Sequence, residues 1–369
     1  MRIIMLKPTD HFHGSDLEKI EAIYHIKKED ITSFSANVNP LGISPLLRQE
    51  LANNIDAITT YPDREYNSLR GAISEYIDIP MKDIAVGNGS TELISLFMKL
   101  IKPKKALILG PTYSEYEREL SICGSSVLYH RLKESEDFKL NLAALEQQLN
   151  HNIDLLVICN PNNPTSQAIK TDTMRDILDL CKQYGIYVLV DETYVEFAPN
   201  YEEITAVNFT GYYSNLIILR GISKFFAAPG LRLGYAICGN EDLLKELNQL
   251  KNPWTINSLA AIAGEIMFRD EDYIKKSRDY INRERDYVIS VVSQFTHAKY
   301  YEPMGNFILI KLLDQVTTSS QLFDTCMKEG LMIRDCSSFP FLDNSYIRFC
   351  FMSHEKNEEL LHILKQELQ

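Results

Sequence analysis

Apolar and polar positions follow two different rhythms along this chain. In the first two thirds, short apolar runs alternate with longer amphipathic stretches. The runs Ile84–Gly87, Ala106–Gly110, Ser126–His130, Asp154–Cys159, Ile186–Asp191, Leu216–Arg220 and Leu233–Cys238 read as strands. Between several of them, Glu92–Ile101, Tyr113–Cys123 and Thr171–Tyr184 carry helical periodicity. Apolar strands separated by helices predict a mainly parallel sheet covered on both faces. Ligands of such sheets bind at the carboxyl ends of the strands. Turn-forming clusters fall at those ends: Gly87-Asn88-Gly89, Gly110-Pro111, Asn160-Pro161-Asn162-Asn163-Pro164 and Asp191-Glu192.

After about Asn252 the rhythm changes. Helical patterns cover Ile256–Phe268 and Glu271–Phe295, followed by strand candidates Asn306–Leu312, Leu331–Arg334 and Tyr346–Phe351, and a last helix at His354–Leu368. This less regular alternation predicts a smaller α+β domain. The expected division is a large domain over 42–252 and a small one built from 1–41 and 253–369. No repeat or flexible linker interrupts the chain, so the two should pack together.

Composition narrows the picture. A length of 369 residues suits two domains, and 45% hydrophobic with 24% charged residues is ordinary for a globular protein. The net charge of −12 argues against nucleic-acid binding, which needs a basic face. Seven cysteines without a CxxC pair fit reduced thiols, and neither a signal peptide nor a membrane-spanning run is visible. A cytoplasmic protein is expected.

The candidate chemistry centres on Ser223-Lys224, just after a buried-looking strand and eight residues before Arg232. A desolvated lysine has a lowered pKa and can form an imine with an aldehyde. Arg232 offers a planar fork for a phosphate. Taken alone, Lys224 would more often be a surface lysine at a strand end. Asp191 follows the apolar run Tyr187-Val188-Leu189-Val190, and a buried carboxylate needs a partner. A protonated pyridine nitrogen would serve, and Tyr194, three residues on, could hydrogen-bond a ring hydroxyl. The Gly89-Ser90-Thr91 start of a helix suits a phosphate, although a capped helix after a glycine turn explains it equally. A dinucleotide fingerprint is a poorer fit, because Glu92 stands where its third glycine belongs.

Taken in order, Gly-Asn-Gly, Asn-Asn-Pro-Thr, Asp-Glu-x-Tyr and Ser-Lys…Gly-x-Arg-x-Gly resemble the fold-type I pyridoxal-phosphate (PLP) enzymes of the aminotransferase class I/II group. The resemblance covers nearly the whole chain. It implies that Lys224 carries the cofactor, that Asp191 pairs with the pyridine nitrogen, and that Tyr194 and Asn163 hold the ring oxygen. Tyr113 would stack on the ring, and Gly89, Ser90, Thr91, Ser223 and Arg232 would cradle the phosphate. Tyr61 resembles the tyrosine that reaches the partner subunit's cofactor, which implies a homodimer. A cis peptide before Pro164 is also implied. Three positions depart from the pattern: Gly221 for a Ser or Thr, Ser166 for a glycine, and Thr193 for an alanine.

His13-Gly14 and Ser33-Phe34-Ser35-Ala36-Asn37-Val38-Asn39-Pro40-Leu41-Gly42 resemble the opening of cobalamin-pathway threonine-phosphate decarboxylases. That likeness implies substrate contacts from His13, Gly14, Asn37, Asn163, Arg334 and Arg348. A metal pair at His11 and His13 is a weaker reading, with no clustered carboxylate or cysteine beside it. The expected reaction is decarboxylation of L-threonine O-3-phosphate to (R)-1-amino-2-propanol O-2-phosphate. L-serine O-phosphate decarboxylase and histidinol-phosphate aminotransferase are the alternatives on the same scaffold. A PLP-binding regulator would need a DNA-binding module for which there is no room, and a nicotinamide dehydrogenase leaves Lys224, Arg232 and Asn163 without roles.

Overall fold

The computed structural model describes residues 16–369. A short strand β1 (Thr32–Ser33) precedes the seven strands of the main sheet. These are β2 (Ile84–Gly87), β3 (Lys105–Gly110), β4 (Ser126–Arg131), β5 (Leu155–Cys159), β6 (Tyr187–Asp191), β7 (Leu216–Gly221) and β8 (Gly234–Ile237). Their order across the sheet is β2-β8-β7-β6-β5-β3-β4. Only β8 runs against the rest, pairing antiparallel with both β2 and β7. The sequence expectation of a mainly parallel, doubly covered sheet therefore holds, with each expected strand in place to within a residue or two.

Continuous apolar runs made most of these strands legible because, apart from the edge strand β4, they are buried on both faces. Every residue of β5 and β7 is buried, and so are the four after Tyr187 in β6. The helices Gly89–Ile101, Glu115–Ile122 and Thr171–Tyr184 cover the sheet. The first starts at Gly89, earlier than its periodicity suggested, so Ser90 and Thr91 sit in its first turn. Its cap explains Glu92: the carboxylate accepts the Asn88 N–H at 2.7 Å and the Thr255 hydroxyl.

A second sheet, β12-β13-β10-β9, is antiparallel throughout. It comprises β9 (Ala298–Tyr300), β10 (Phe307–Leu312), β12 (Arg334–Asp335) and β13 (Tyr346–Cys350). The expected single strand Leu331–Arg334 is broken in two. Leu331–Met332 forms β11, which pairs parallel with β1, whereas Arg334 and Asp335 pair with Arg348 and Ile347. The chain changes sheets at Ile333 because two different partners compete for four residues. Helices Leu17–Tyr24, Pro45–Asn53, Asn67–Ile77, Glu241–Leu250 and Ser319–Lys328 stand where no element was expected. Among the described residues, no helix is long and apolar enough to cross a membrane.

A buried ion pair ties the centre of the main sheet together. Glu192, in the turn cluster at the end of β6, is fully buried. Its Oε2 accepts from Arg220 Nε at 3.0 Å and Nη2 at 2.8 Å, while Oε1 accepts the Ala206 N–H. Glu196, also buried, lies 3.8 Å from the same guanidinium. Removing one partner strands buried charge, at a cost of about 3–5 kcal/mol. Arg220→Met should therefore lower unfolding stability by about that much in guanidinium denaturation; a loss under about 1 kcal/mol would show that the pair is dispensable.

Candidate active site

The carboxyl ends of β6 and β7 open into a cavity of ≈ 490 Å³. Asp191 ends β6, the central strand, and Lys224 follows β7 by three residues. Both line this cavity, together with Ser90, Thr91, Tyr113, Asn163, Tyr194, Ser223 and Arg232. Two further cations, Arg334 and Arg348, enter it from the second sheet. Residues that the sequence scattered over more than two hundred positions thus share one chamber.

Asp191 is buried and, among the described residues, has no ion-pair partner. Its Oδ2 accepts the Tyr116 hydroxyl at 2.7 Å. Its Oδ1 accepts the Thr193 N–H at 2.9 Å and the Thr193 hydroxyl at 2.6 Å. Burial pushes its pKa above the ordinary carboxylate value, and these hydrogen bonds pull against that rise. Lys224 donates to the Ala36 carbonyl at 2.7 Å. Burial, reinforced by the charge of Arg348, brings its ammonium down to about 8.

Tyr194 is buried beside Asn37, whose side-chain amide faces its hydroxyl at 3.4 Å, and its ring stands edge-on to Phe307. Asn163 receives a hydrogen bond from Arg348 Nη1, and Arg348 Nη2 reaches the Ser35 carbonyl at 2.6 Å. Arg334 contacts the loop after it, donating to Ser338 at 3.0 Å and lying over the Phe339 ring. The peptide before Pro164 is cis, as expected, and those before Pro111 and Pro161 are cis too. Asn160 is a loop staple: its amide spans Ile169 and the Ile204 carbonyl.

The amino-terminal segment from Ser33 to Asn39 closes one wall. Besides receiving Lys224, it donates the Asn39 N–H to the Lys224 carbonyl at 3.0 Å. Its Asn39 side chain also donates to the Phe225 carbonyl and Ser277. On its other edge it accepts from Cys350 of the second sheet and from Asn306, just before β10. The segment is therefore stitched to both halves at the point where Lys224 emerges.

The phosphate candidates converge through glycines. A Cβ on Gly234 would stand 2.5 Å from the Ser90 nitrogen, and one on Gly89 would stand 2.5 Å from an Arg232 Nη. Only bare backbone lets Arg232 and β8 close on this helix start. Gly89 itself does not line the cavity, whereas Gly221, one of the departures from the family pattern, does.

The chain matches the aminotransferase class I and II family over residues 29–364. The chain belongs to that family. A Caldanaerobacter subterraneus relative provisionally named threonine-phosphate decarboxylase is 35% identical, covering 89% of this chain and 88% of its own. The threonine-phosphate decarboxylase of Salmonella typhimurium is 30% identical over 96% of both chains. Among solved structures, the histidinol-phosphate aminotransferase from Clostridium acetobutylicum is 32% identical with a TM-score of 0.84, covering 90% of this chain and 98% of its own.

This member of the family has the fold-type I architecture, and its cofactor is pyridoxal 5'-phosphate. The residues present fit that group. A buried carboxylate without a cation stands ready for a protonated ring nitrogen, a glycine-cleared helix start with Arg232 suits a phosphate, and a neutralisable lysine faces them. His13 and Gly14 lie outside the described residues. Tyr61 stays out of the chamber, exposed and packed on Trp254 at 4.7 Å between ring centres.

Sequence reasoning missed Tyr116, Ser338, Phe339 and the Ala36 carbonyl. Tyr116 follows Tyr113 by one helical step, the only signal it left. The lowered lysine pKa has a sign that can be read directly. Below about 8 Lys224 is an inert ammonium, and above it a free amine. In cofactor-free protein, its modification by trinitrobenzenesulfonate, followed by peptide mass spectrometry, should be half-maximal near pH 8. A midpoint above about 10, that of an exposed lysine, would contradict the site.

Proposed function

We propose that this family member is a PLP-dependent decarboxylase of L-threonine O-3-phosphate, forming (R)-1-amino-2-propanol O-2-phosphate for cobalamin biosynthesis. One observation carries the reading: two guanidiniums, Arg334 and Arg348, share the Lys224 chamber in addition to Arg232. A substrate with both a phosphate and a carboxylate can engage both at once. The relatives named threonine-phosphate decarboxylase support the same assignment.

When bound, pyridoxal phosphate supplies an aldehyde for the substrate amine and a ring that accepts the electron pair of a bond broken at the α-carbon. The protein does the rest. Ser90, Thr91, Ser223 and Arg232, with Gly89 giving room, would hold the cofactor phosphate, and Asp191 would keep the ring nitrogen protonated. Tyr194 and Asn163 fix the ring oxygen, and Tyr113 packs on the ring face. Arg334 and Arg348, with Asn37, His13 and Gly14, anchor the substrate's anionic groups. By fixing both anionic groups, these anchors would set the orientation in which the substrate's α-carbon meets the bound cofactor. Lys224 Nζ is placed to return a proton to the α-carbon, since its amine and ammonium forms are close in energy near neutral pH.

The working unit in this reading is a homodimer in the cytoplasm. Tyr61, 79% exposed in the single chain, is then the residue that reaches the partner's cofactor phosphate. The proposed division into a large domain (42–252) and a small one (1–41 and 253–369) places the substrate arginines on the small domain. L-serine O-phosphate decarboxylation differs by one methyl, worth only about 1–3 kcal/mol in a pocket. Histidinol-phosphate aminotransferase is the second reading, favoured by the 32% identical solved structure of that name.

Incubation of purified protein with phosphothreonine, phosphoserine, or histidinol phosphate plus 2-oxoglutarate separates these readings. Carbon dioxide from phosphothreonine is the expected result; glutamate without carbon dioxide would reject decarboxylation. Lys224→Ala should abolish turnover with every substrate. Arg334→Met removes charge-assisted hydrogen bonds worth about 1.5–3 kcal/mol, so kcat/KM should fall roughly ten- to hundredfold. An unchanged kcat/KM would remove Arg334 from the substrate site.

A further inference from the structure

The Asp191 carboxylate poses an electrostatic problem that its surroundings solve in an unusual way. It is 4% exposed, and no lysine or arginine among the described residues pairs with it. Burial alone would protonate it, and a neutral carboxyl could not attract a cationic ring. Three donors oppose this, and two come from one residue. The Thr193 N–H reaches Oδ1 at 2.9 Å, and its hydroxyl reaches the same oxygen at 2.6 Å.

Any residue but proline at position 193 supplies the N–H. Only a hydroxyl-bearing one supplies the second bond, and Thr193 is also a cavity-lining residue. We infer that Thr193 is a positioning residue whose hydroxyl keeps Asp191 ionised and fixes which way its carboxylate faces. The inference rests on the proposed pairing of Asp191 with the cofactor ring and extends it. O–H donors to a carboxylate stabilise the charged form selectively, because the neutral acid needs them less.

The other groups around Asp191 leave its titration visible. Tyr116 approaches from the helix Glu115–Ile122, and Cys159 stands opposite in β5. Tyr113 and Tyr194 face it across the chamber. Burial raises the pKa of all four, Cys159 to about 12, so none changes charge in the acid to neutral range. On the other side, β7 presents Leu219. Lys224 and the cofactor's own groups titrate alike in all variants and cancel in a ratio.

The test compares wild type, Thr193→Val, Thr193→Ala and Thr193→Ser, all cofactor-free, by equilibrium dialysis against pyridoxal phosphate from pH 5.5 to 8. Thr193→Val and Thr193→Ala should bind about tenfold more weakly than wild type at pH 5.5, with the gap closing to about threefold or less at pH 8. Thr193→Ser should follow wild type. A ratio constant across pH, or no loss in Thr193→Val, would overturn the inference while leaving the cofactor site intact. Wild type that binds nothing would bring down the underlying site and the inference with it.

A second readout needs no cofactor. The folded-state pKa of Asp191 lies above its unfolded value, so ionising it costs the folded state stability as pH rises through that interval. Thr193→Val widens the interval. Its unfolding midpoint should therefore fall below that of wild type by more at pH 7 than at pH 4. Equal deficits at both would assign Thr193 a purely structural role.

Discussion

A charge kept out of water has to be answered by something, and in the proposed reading the answer comes from a cofactor rather than from the chain. Asp191 sits at the end of the central strand with both oxygens hydrogen-bonded, Oδ2 by the Tyr116 hydroxyl alone, and with no cation of its own among the described residues. Its neighbour Glu192, one residue on, is equally buried yet carries its counter-ion with it in Arg220. The contrast separates a structural carboxylate from a receptive one. Desolvating a carboxylate is costly enough that the unpaired case persists where a ligand completes it.

The rest of the architecture serves to keep that carboxylate and Lys224 at a fixed separation. Asp191 is held by the pairing of β6 with β5 and β7, and Lys224 by the loop that β7 feeds. The Glu192–Arg220 pair clamps those two strand ends together directly beneath the site. The Ser33–Asn39 segment fastens the lysine from the other side and also bonds to the second sheet, with Asn37 at a positive φ of 54°, a left-handed conformation that asparagine tolerates. The second sheet then contributes two further cations to the same cavity, Arg334 and Arg348, which the proposed function assigns to the substrate's anionic groups. In the proposed reading, the cofactor residues of the main sheet and the substrate arginines of the second sheet meet at this one cavity.

Much of this was legible in the sequence, for identifiable reasons. Strands buried on both faces leave uninterrupted apolar runs, so β5, β6 and β7 could be read almost to the residue. The turn clusters marked the strand ends that form the chamber. The burial of Glu192 could not be read, because its partner lies 28 residues away on a neighbouring strand. The Ala36 carbonyl that receives Lys224 left no trace, since backbone acceptors have no residue signature. The split of Leu331–Arg334 depended on two competing partners distant in sequence. Thr193 was visible only as a departure from a pattern; its two bonds to Asp191 gave it a meaning.

The central claim is that Lys224 carries the cofactor while Asp191 faces its ring. The most direct measurement is borohydride reduction of the pyridoxal-phosphate-loaded protein, followed by peptide mapping. The account predicts a yellow protein whose near-visible absorbance disappears on reduction, with the phosphopyridoxyl mass on Lys224 alone. A colourless protein, or a label carried by any other lysine, would contradict it.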